Sequence, residues 1–221
     1  MMRVKTPPRV SIPRLKGVAY LAPGDRIFPE DLEAWERKAG VRVGPGDALF
    51  VTGWVHDERG QPIADAKVDV WHSSTTGLYE NQAEARAKGH ADMNLRGKFT
   101  TDADGRFDFW SIKPVGYPIP TDGVVGPLLK AQKRHAMRPA HIHALVVKPG
   151  FQTLISQVYA HDDPNLATDV QFGVTKTLTG HFVRHEEAPR ARPELKKPWY
   201  SLDFVFKMEA GESRLPKAPI R

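Results

Sequence analysis

Residues 138–147 read Arg138-Pro139-Ala140-His141-Ile142-His143-Ala144-Leu145-Val146-Val147. Side chains alternate between the two faces of a strand, so this run places His141 and His143 on the same face. Two imidazoles on one face at the end of a strand can hold a single metal ion. Spacing alone also fits a surface pair or a satisfied core pair, so the rest of the chain decides what the histidines do.

Downstream, Lys148-Pro149-Gly150 reads as a turn and residues 153–159 as a strand carrying Gln157. A polar loop over 161–169 leads to a short predicted strand at 170–174. A charged, proline-rich stretch over 185–198 precedes the last strand, 200–206, which alternates cleanly. Upstream, residues 49–55 and 66–71 alternate as strands around a turn at Gly60. Residues 99–101 and 106–110 flank Asp102-Ala103-Asp104-Gly105 and read as a hairpin. Asp102 and Asp104 are turn formers here, since the wider pattern of a calcium loop is absent. Residues 80–98 form a long polar excursion, and a helical turn is expected around 128–133. Residues 29–39 read as one short helix, acidic early and basic late, ended by Gly40.

Many short strands, 18 glycines and 19 prolines point to a mostly β chain folded as a sandwich or barrel. Long loops would carry the site. The length, 221 residues, suits one catalytic domain over 49–221 preceded by an N-terminal arm and short helix over 1–48. With 32 Lys and Arg against 26 Asp and Glu, the net charge of +6 is too modest and too dispersed for a nucleic-acid surface. No apolar run reaches the roughly 20 residues of a membrane span, and no apolar stretch follows the basic first residues, so a cytoplasmic location is expected. There are no cysteines, so any metal must be held by nitrogen and oxygen donors.

Two of the five tyrosines lie beside glycines in loops that follow strands: Gly77-Leu78-Tyr79 and Gly116-Tyr117. A tyrosinate is a hard anionic donor, and two of them suit a trivalent ion such as Fe(III) better than zinc. Taken singly, each tyrosine also fits an amphipathic position at a rim. His72, next to Trp71, reads as a structural partner near the site, and the five tryptophans read as core or rim residues.

Three runs carry a resemblance: GWVHDERGQPIADAKVDVWHSSTTGLY from Gly53, NLRGKFTTDADGRFDFWSIKPVGYPIPTDG from Asn94, and RPAHIHALVVKPGFQTLISQVY from Arg138. Together they resemble the intradiol ring-cleavage dioxygenases, in particular the catechol and hydroxyquinol 1,2-dioxygenase branch. The resemblance spans roughly residues 50–206. It implies one non-haem Fe(III) per chain held by Tyr79, Tyr117, His141 and His143, with Tyr117 and His143 axial. It further implies Arg138 and Gln157 as catalytic residues and Tyr117 as both ligand and internal base. Leu78, Arg138, Val170 and Gln171 would contact the substrate ring. The expected reaction is cleavage of catechol or hydroxyquinol by O2 to a cis,cis-muconate or maleylacetate-type diacid. A polar Gln171 suits a third ring hydroxyl.

Two other assignments are open on the sequence: a protocatechuate-type diol as substrate, and a non-enzymatic β-sandwich binding module, which GWVHDERGQPIADAKVDVW alone would fit. Homodimers are the rule in the branch, so a homodimer is expected, but the usual helical dimerisation region has no counterpart here. A Glu-Gly-Pro-aromatic segment that closes the pocket in the family is also missing. Residues 10–50 instead resemble a fragment of the metal-dependent cyclases related to kynurenine formamidase. The His-rich metal motif of that family is absent, so no cyclase activity is expected.

Overall fold

Alternation of apolar and polar residues along β1 (Ala48–Asp57) sends Leu49, Val51 and Val55 into a core where each is at most 5% exposed. The computed structural model describes residues 46–87, 94–188 and 198–214. The helix expected at 29–39, and all but the end of the arm, lie outside them.

Two sheets face each other across this core. One has four strands, in the order β10 (Val183–His185), β11 (Trp199–Met208), β1 and β4 (Arg106–Ile112). The other has five: β3 (Arg96–Thr100), β2 (Lys67–His72), β7 (His141–Val147), β8 (Leu154–Ala160) and β9 (Thr179–Gly180). The architecture is the expected β-sandwich. Phe99 from the five-stranded sheet stacks on Phe109 of the other, with ring centroids 4.9 Å apart, and Phe107 and Phe206 extend the aromatic layer. Opposite Phe107 on β1 stands Gly53, where a Cβ would run into the Phe107 ring. The glycine therefore makes room for the aromatic layer.

The hairpin expected across residues 99–110 does not form. β3 pairs with β2, whereas β4 pairs with β1 in the opposite sheet. The turn itself is built as its residues dictate: the Asp102 carboxylate accepts from the Asp104 and Arg106 amides, and Gly105 adopts φ +69°. Beyond it, however, the Val55 amide donates to the Gly105 carbonyl, while the Thr101 hydroxyl donates to Ile63 O. Each arm is thus captured by a different sheet, and the turn becomes a crossover between layers.

No strand occupies 170–174 either. The Asp169 carboxylate accepts from the Gln171 and Gly173 amides, which removes them from any ladder, and Phe172 is left-handed at φ 55°. The edge strand comes later, at β9, and Val183–His185 adds a short strand that the charged composition conceals. The helix expected near 128–133 runs from Val125 to Ala131.

β7 lies at the centre of the five-stranded sheet, between β2 and β8. Its inner residues Ile142, Ala144 and Val146 are buried in the sandwich core. His141 and His143 therefore project from the opposite, outer face of that sheet, where loops cover them.

Candidate metal centre

Tyr79 arrives on the loop that follows β2. Ser74 folds this loop: its hydroxyl accepts from the Thr76 and Leu78 amides, and its own amide donates to Leu78 O. Gly77 sits at φ +77°, and a Cβ there would come within 2.8 Å of Tyr117 Cβ. Only glycine suits both the backbone conformation and the approach of the second tyrosine loop. Tyr117 opens a two-residue strand, β5 (Tyr117–Pro118), whose register partner is Arg138 on β6 (Met137–Arg138). The Ser73 hydroxyl donates to Val115 O at 3.2 Å, which links the two tyrosine loops directly.

Four side chains from these elements converge. Tyr79 Oη lies 3.1 Å from Tyr117 Oη, 3.1 Å from His143 Nε2 and 3.4 Å from His141 Nε2. Tyr117 Oη is 3.4 Å from His141 Nε2, and the two Nε2 atoms are 3.1 Å apart. Such edges belong to donors grouped about a common point at a typical metal–ligand distance of about 2 Å. Among the described residues no such contact joins Tyr117 to His143.

The protonation of the histidines suits a cation. Pro139 O can only accept, so His141 Nδ1 carries the proton of their 2.7 Å bond, and the Nε2 lone pair is left facing the other donors. Burial, reinforced by Arg138, lowers the His141 pKa to about 4. Burial and His141 lower that of His143 to about 2. Both rings are neutral at pH 7, as ligation requires. Burial, with Tyr117 next to it, raises the Tyr79 pKa, so its phenolate needs a nearby positive charge. Two neutral imidazoles and two phenols crowded into one buried place fit a hard cation that would neutralise the phenolates.

Arg138, only 4% exposed, borders the cluster. Its Nη2 donates to Gln157 Oε1 at 2.7 Å and to Tyr159 Oη at 2.9 Å. Nη1 reaches His141 Nε2 at 3.1 Å and Tyr117 Oη at 3.5 Å. Asp169 Oδ1 lies 3.6 Å from Nε, an ion pair too long for a hydrogen bond, and among the described residues Nε has no acceptor of its own. The guanidinium is thus fixed on one side and faces the donors on the other.

A sequence-family comparison matches residues 29–207 to a family described as "Dioxygenase". The chain belongs to the intradiol ring-cleavage dioxygenases. It is 44% identical over 163 residues to a hydroxyquinol 1,2-dioxygenase of Rhizobium sp. (strain MTP-10005), which covers 72% of this chain and 54% of that one. It is 37% identical over 169 residues to a catechol 1,2-dioxygenase of Candida albicans, covering 76% and 54%. Among solved structures, the hydroxyquinol 1,2-dioxygenase of Pseudomonas putida DLL-E4 superposes with a TM-score of 0.72 at 30% identity, over 96% of this chain and 67% of that one. The chain spans about half the length of the curated relatives it matches. Intradiol dioxygenases use non-haem iron.

Of the other residues expected at an intradiol site, Leu78 is half-buried beside Tyr79 and Val170 is buried, with its amide on Met137 O. Gln171 is exposed, and among the described residues no hydrogen bond holds its side chain. Two participants were not anticipated from the sequence. Tyr159 is 1% exposed and bonds both Arg138 and Gln157. Asp169 anchors the loop bearing Val170 and Gln171 and faces Arg138. Tyr159 had a signal available, because it lies two residues after Gln157 and so shares its face.

Proposed function

We propose that this chain cleaves a catechol-type aromatic diol between its two hydroxyl-bearing carbons, using O2 and one Fe(III) held by Tyr79, Tyr117, His141 and His143. The product is a cis,cis-muconate or maleylacetate-type diacid. The observation that carries this reading is the convergence of two phenol oxygens and two imidazole nitrogens, every pair except Tyr117–His143 lying 3.1–3.4 Å apart. Two hard anionic donors favour a ferric ion over zinc. Bound there, the ferric ion supplies the positive charge that favours an ionised diol and the electronic coupling that lets its ring react with O2.

The protein's own groups account for the rest. Tyr117 Oη accepts a proton from a diol hydroxyl, acting as an internal base. The His141 Nδ1 bond to Pro139 keeps its Nε2 unprotonated. Arg138 presents a fixed charge to the negative charge that builds on the ring. Gln157 and Tyr159 hold that charge in place, so no reorganisation is needed during the reaction. Leu78, Val170 and Gln171 form the wall against the ring, and the free Gln171 amide suits the third hydroxyl of hydroxyquinol.

The test is an anaerobic visible spectrum of iron-loaded protein titrated with catechol, hydroxyquinol and protocatechuate, followed by admission of O2. Tyrosinate-to-iron charge transfer is expected to colour the protein burgundy, with a shift on diol binding and bleaching to diacid under O2. An iron-loaded protein with no visible band, or a band indifferent to all three diols, overturns the proposal. Steady-state rates on the three diols then rank the substrates.

A further inference from the structure

The two histidines are held in different ways. His141 is fixed by its Nδ1–H bond to Pro139 O, the usual device for orienting a ligand ring. Among the described residues His143 has no partner at Nδ1; its contacts are all through Nε2. What meets its ring face is Trp71, stacked at 4.9 Å between centroids and only 6° from parallel. Trp71 is the register partner of His143 on β2.

Arg96 on β3 extends the row. It is the register partner of Trp71, and its guanidinium carbon lies 5.1 Å from the centre of the Trp71 ring. Arg96 and His143 belong to the strands on either side of β2, so the indole is sandwiched between a cation and an imidazole. Arg96 Nε in turn donates to Glu80 Oε1 at 2.8 Å, and both side chains are largely buried, at 12% and 8%. Glu80 directly follows Tyr79 in the chain. At the other end, the register partner of His143 on β8 is Gln157, which Arg138 holds. One row across four strands therefore begins at the neighbour of one proposed ligand, passes through the ring of another and ends on the arginine's support.

We propose that Trp71 and the Arg96–Glu80 pair are positioning residues for the metal centre: Trp71 sets the ring plane of His143, and the ion pair ties the Tyr79 loop to the same row. This rests on the reading of the four donors as a ferric site. None of the three is among the residues proposed to contact the substrate ring. Their role is to keep a ligand on the loop after β2 and a ligand on strand β7 in mutual register.

The experiment compares iron-loaded wild-type protein with Trp71→Leu, Trp71→Phe and Glu80→Gln. It records the visible band, the rate of iron loss to a chelator, and thermal unfolding of the iron-free forms. Trp71→Leu is expected to lose iron about tenfold faster, with a displaced band. Trp71→Phe, which keeps a stacking ring, should stay close to wild type. Glu80→Gln should displace the band through Tyr79 and hasten iron loss. Should Trp71→Leu fail to fold, the other two variants and the wild type carry the test. Wild-type band position in Glu80→Gln and Trp71→Leu, or iron loss that merely tracks a lower unfolding temperature, overturns the inference. A wild-type protein that takes up no iron and shows no band instead removes the ferric reading beneath it.

Discussion

Tyr117 and Arg138 face each other as register partners on β5 and β6, and Arg138 Nη1 stops 3.5 Å from the tyrosine hydroxyl. That is too long for a strong hydrogen bond. The arginine's own anchorage runs instead to Gln157 and Tyr159, independently of the Tyr117 hydroxyl.

Replacing Tyr117 by Phe removes the oxygen and leaves Arg138 anchored. The expected result is a weaker visible band and a fall in kcat of about 10² to 10⁴, the range for loss of a positioned base. Stopped-flow mixing with diol under anaerobic conditions checks it, because the loss should fall on the deprotonation phase. Unchanged colour and turnover would remove Tyr117 from the site.

Tyr159→Phe deletes an acceptor for Arg138 and a donor to Gln157 while keeping the buried ring. The stability cost should be about 1 kcal/mol, the worth of an ordinary buried hydrogen bond. The effect on kcat should be larger than on KM, since a looser guanidinium weakens charge stabilisation that matters most in the transition state. Kinetics beside urea denaturation separates the two. A change confined to KM would contradict this role for Tyr159.

The residues behind these two predictions differ in how legible they are in the sequence. His141 and His143 are legible from alternation alone, because strand geometry fixes which residues share a face. Tyr79 and Tyr117 lie in separate loops, 38 residues apart in the chain, and only resemblance joined them before the fold did. Asp169 escaped notice because its value depends on Arg138, 31 positions upstream by subtraction of residue numbers. The fold shows the same division. Long alternating strands such as β1, β7 and β11 were plain, but Asp102–Gly105 builds the same turn whether its arms pair or separate. Local chemistry fixes the turn, and the partners β1 and β2 decide where each arm goes.

Gly53→Ala tests the aromatic layer. The added methyl would collide with the Phe107 ring, in a strand flanked on both sides by β4 and β11. The ring cannot yield easily, since Phe99 and Phe109 are stacked near it. A loss of about 1 to 3 kcal/mol is expected, the usual cost of overpacking a core. Denaturant titration measures it, and a neutral outcome would mean the phenylalanine layer is far more compliant than its packing implies.

Asp69 lies on the outer face of β2, 1% exposed, and among the described residues neither carboxylate oxygen has a hydrogen-bond partner. Burial raises its pKa to about 7, against the pull of Lys98 and Arg96. The native state then holds a proton that the unfolded chain releases near 3.8, so stability falls as pH rises from about 4 to about 7. Asp69→Asn cannot ionise and should lose this dependence. Urea denaturation of both proteins at pH 5 and pH 8 checks it, and parallel pH profiles would contradict it.

His72 works in the opposite direction. It lies between the sheets, where its Nδ1–H donates to Ser73 O at 2.8 Å and its Nε2 accepts from the Ser111 hydroxyl at 2.6 Å. That pattern needs a neutral ring, and burial lowers the pKa from 6.5 to about 4 even though the Ser73 carbonyl favours the charged form. Below pH 6.5 the unfolded chain binds a proton that the native state refuses. Stability is therefore complete above that pH and is lost progressively down to about pH 4, by about 3 kcal/mol in all. His72→Asn removes the titration. In iron-free protein, the stability difference between wild type and variant should shrink as pH falls from 7 to 4, because only the wild type pays the protonation of its unfolded state. A difference constant across that range would mean His72 is charged in the folded protein, which its bond to Ser73 O and its enclosure both oppose.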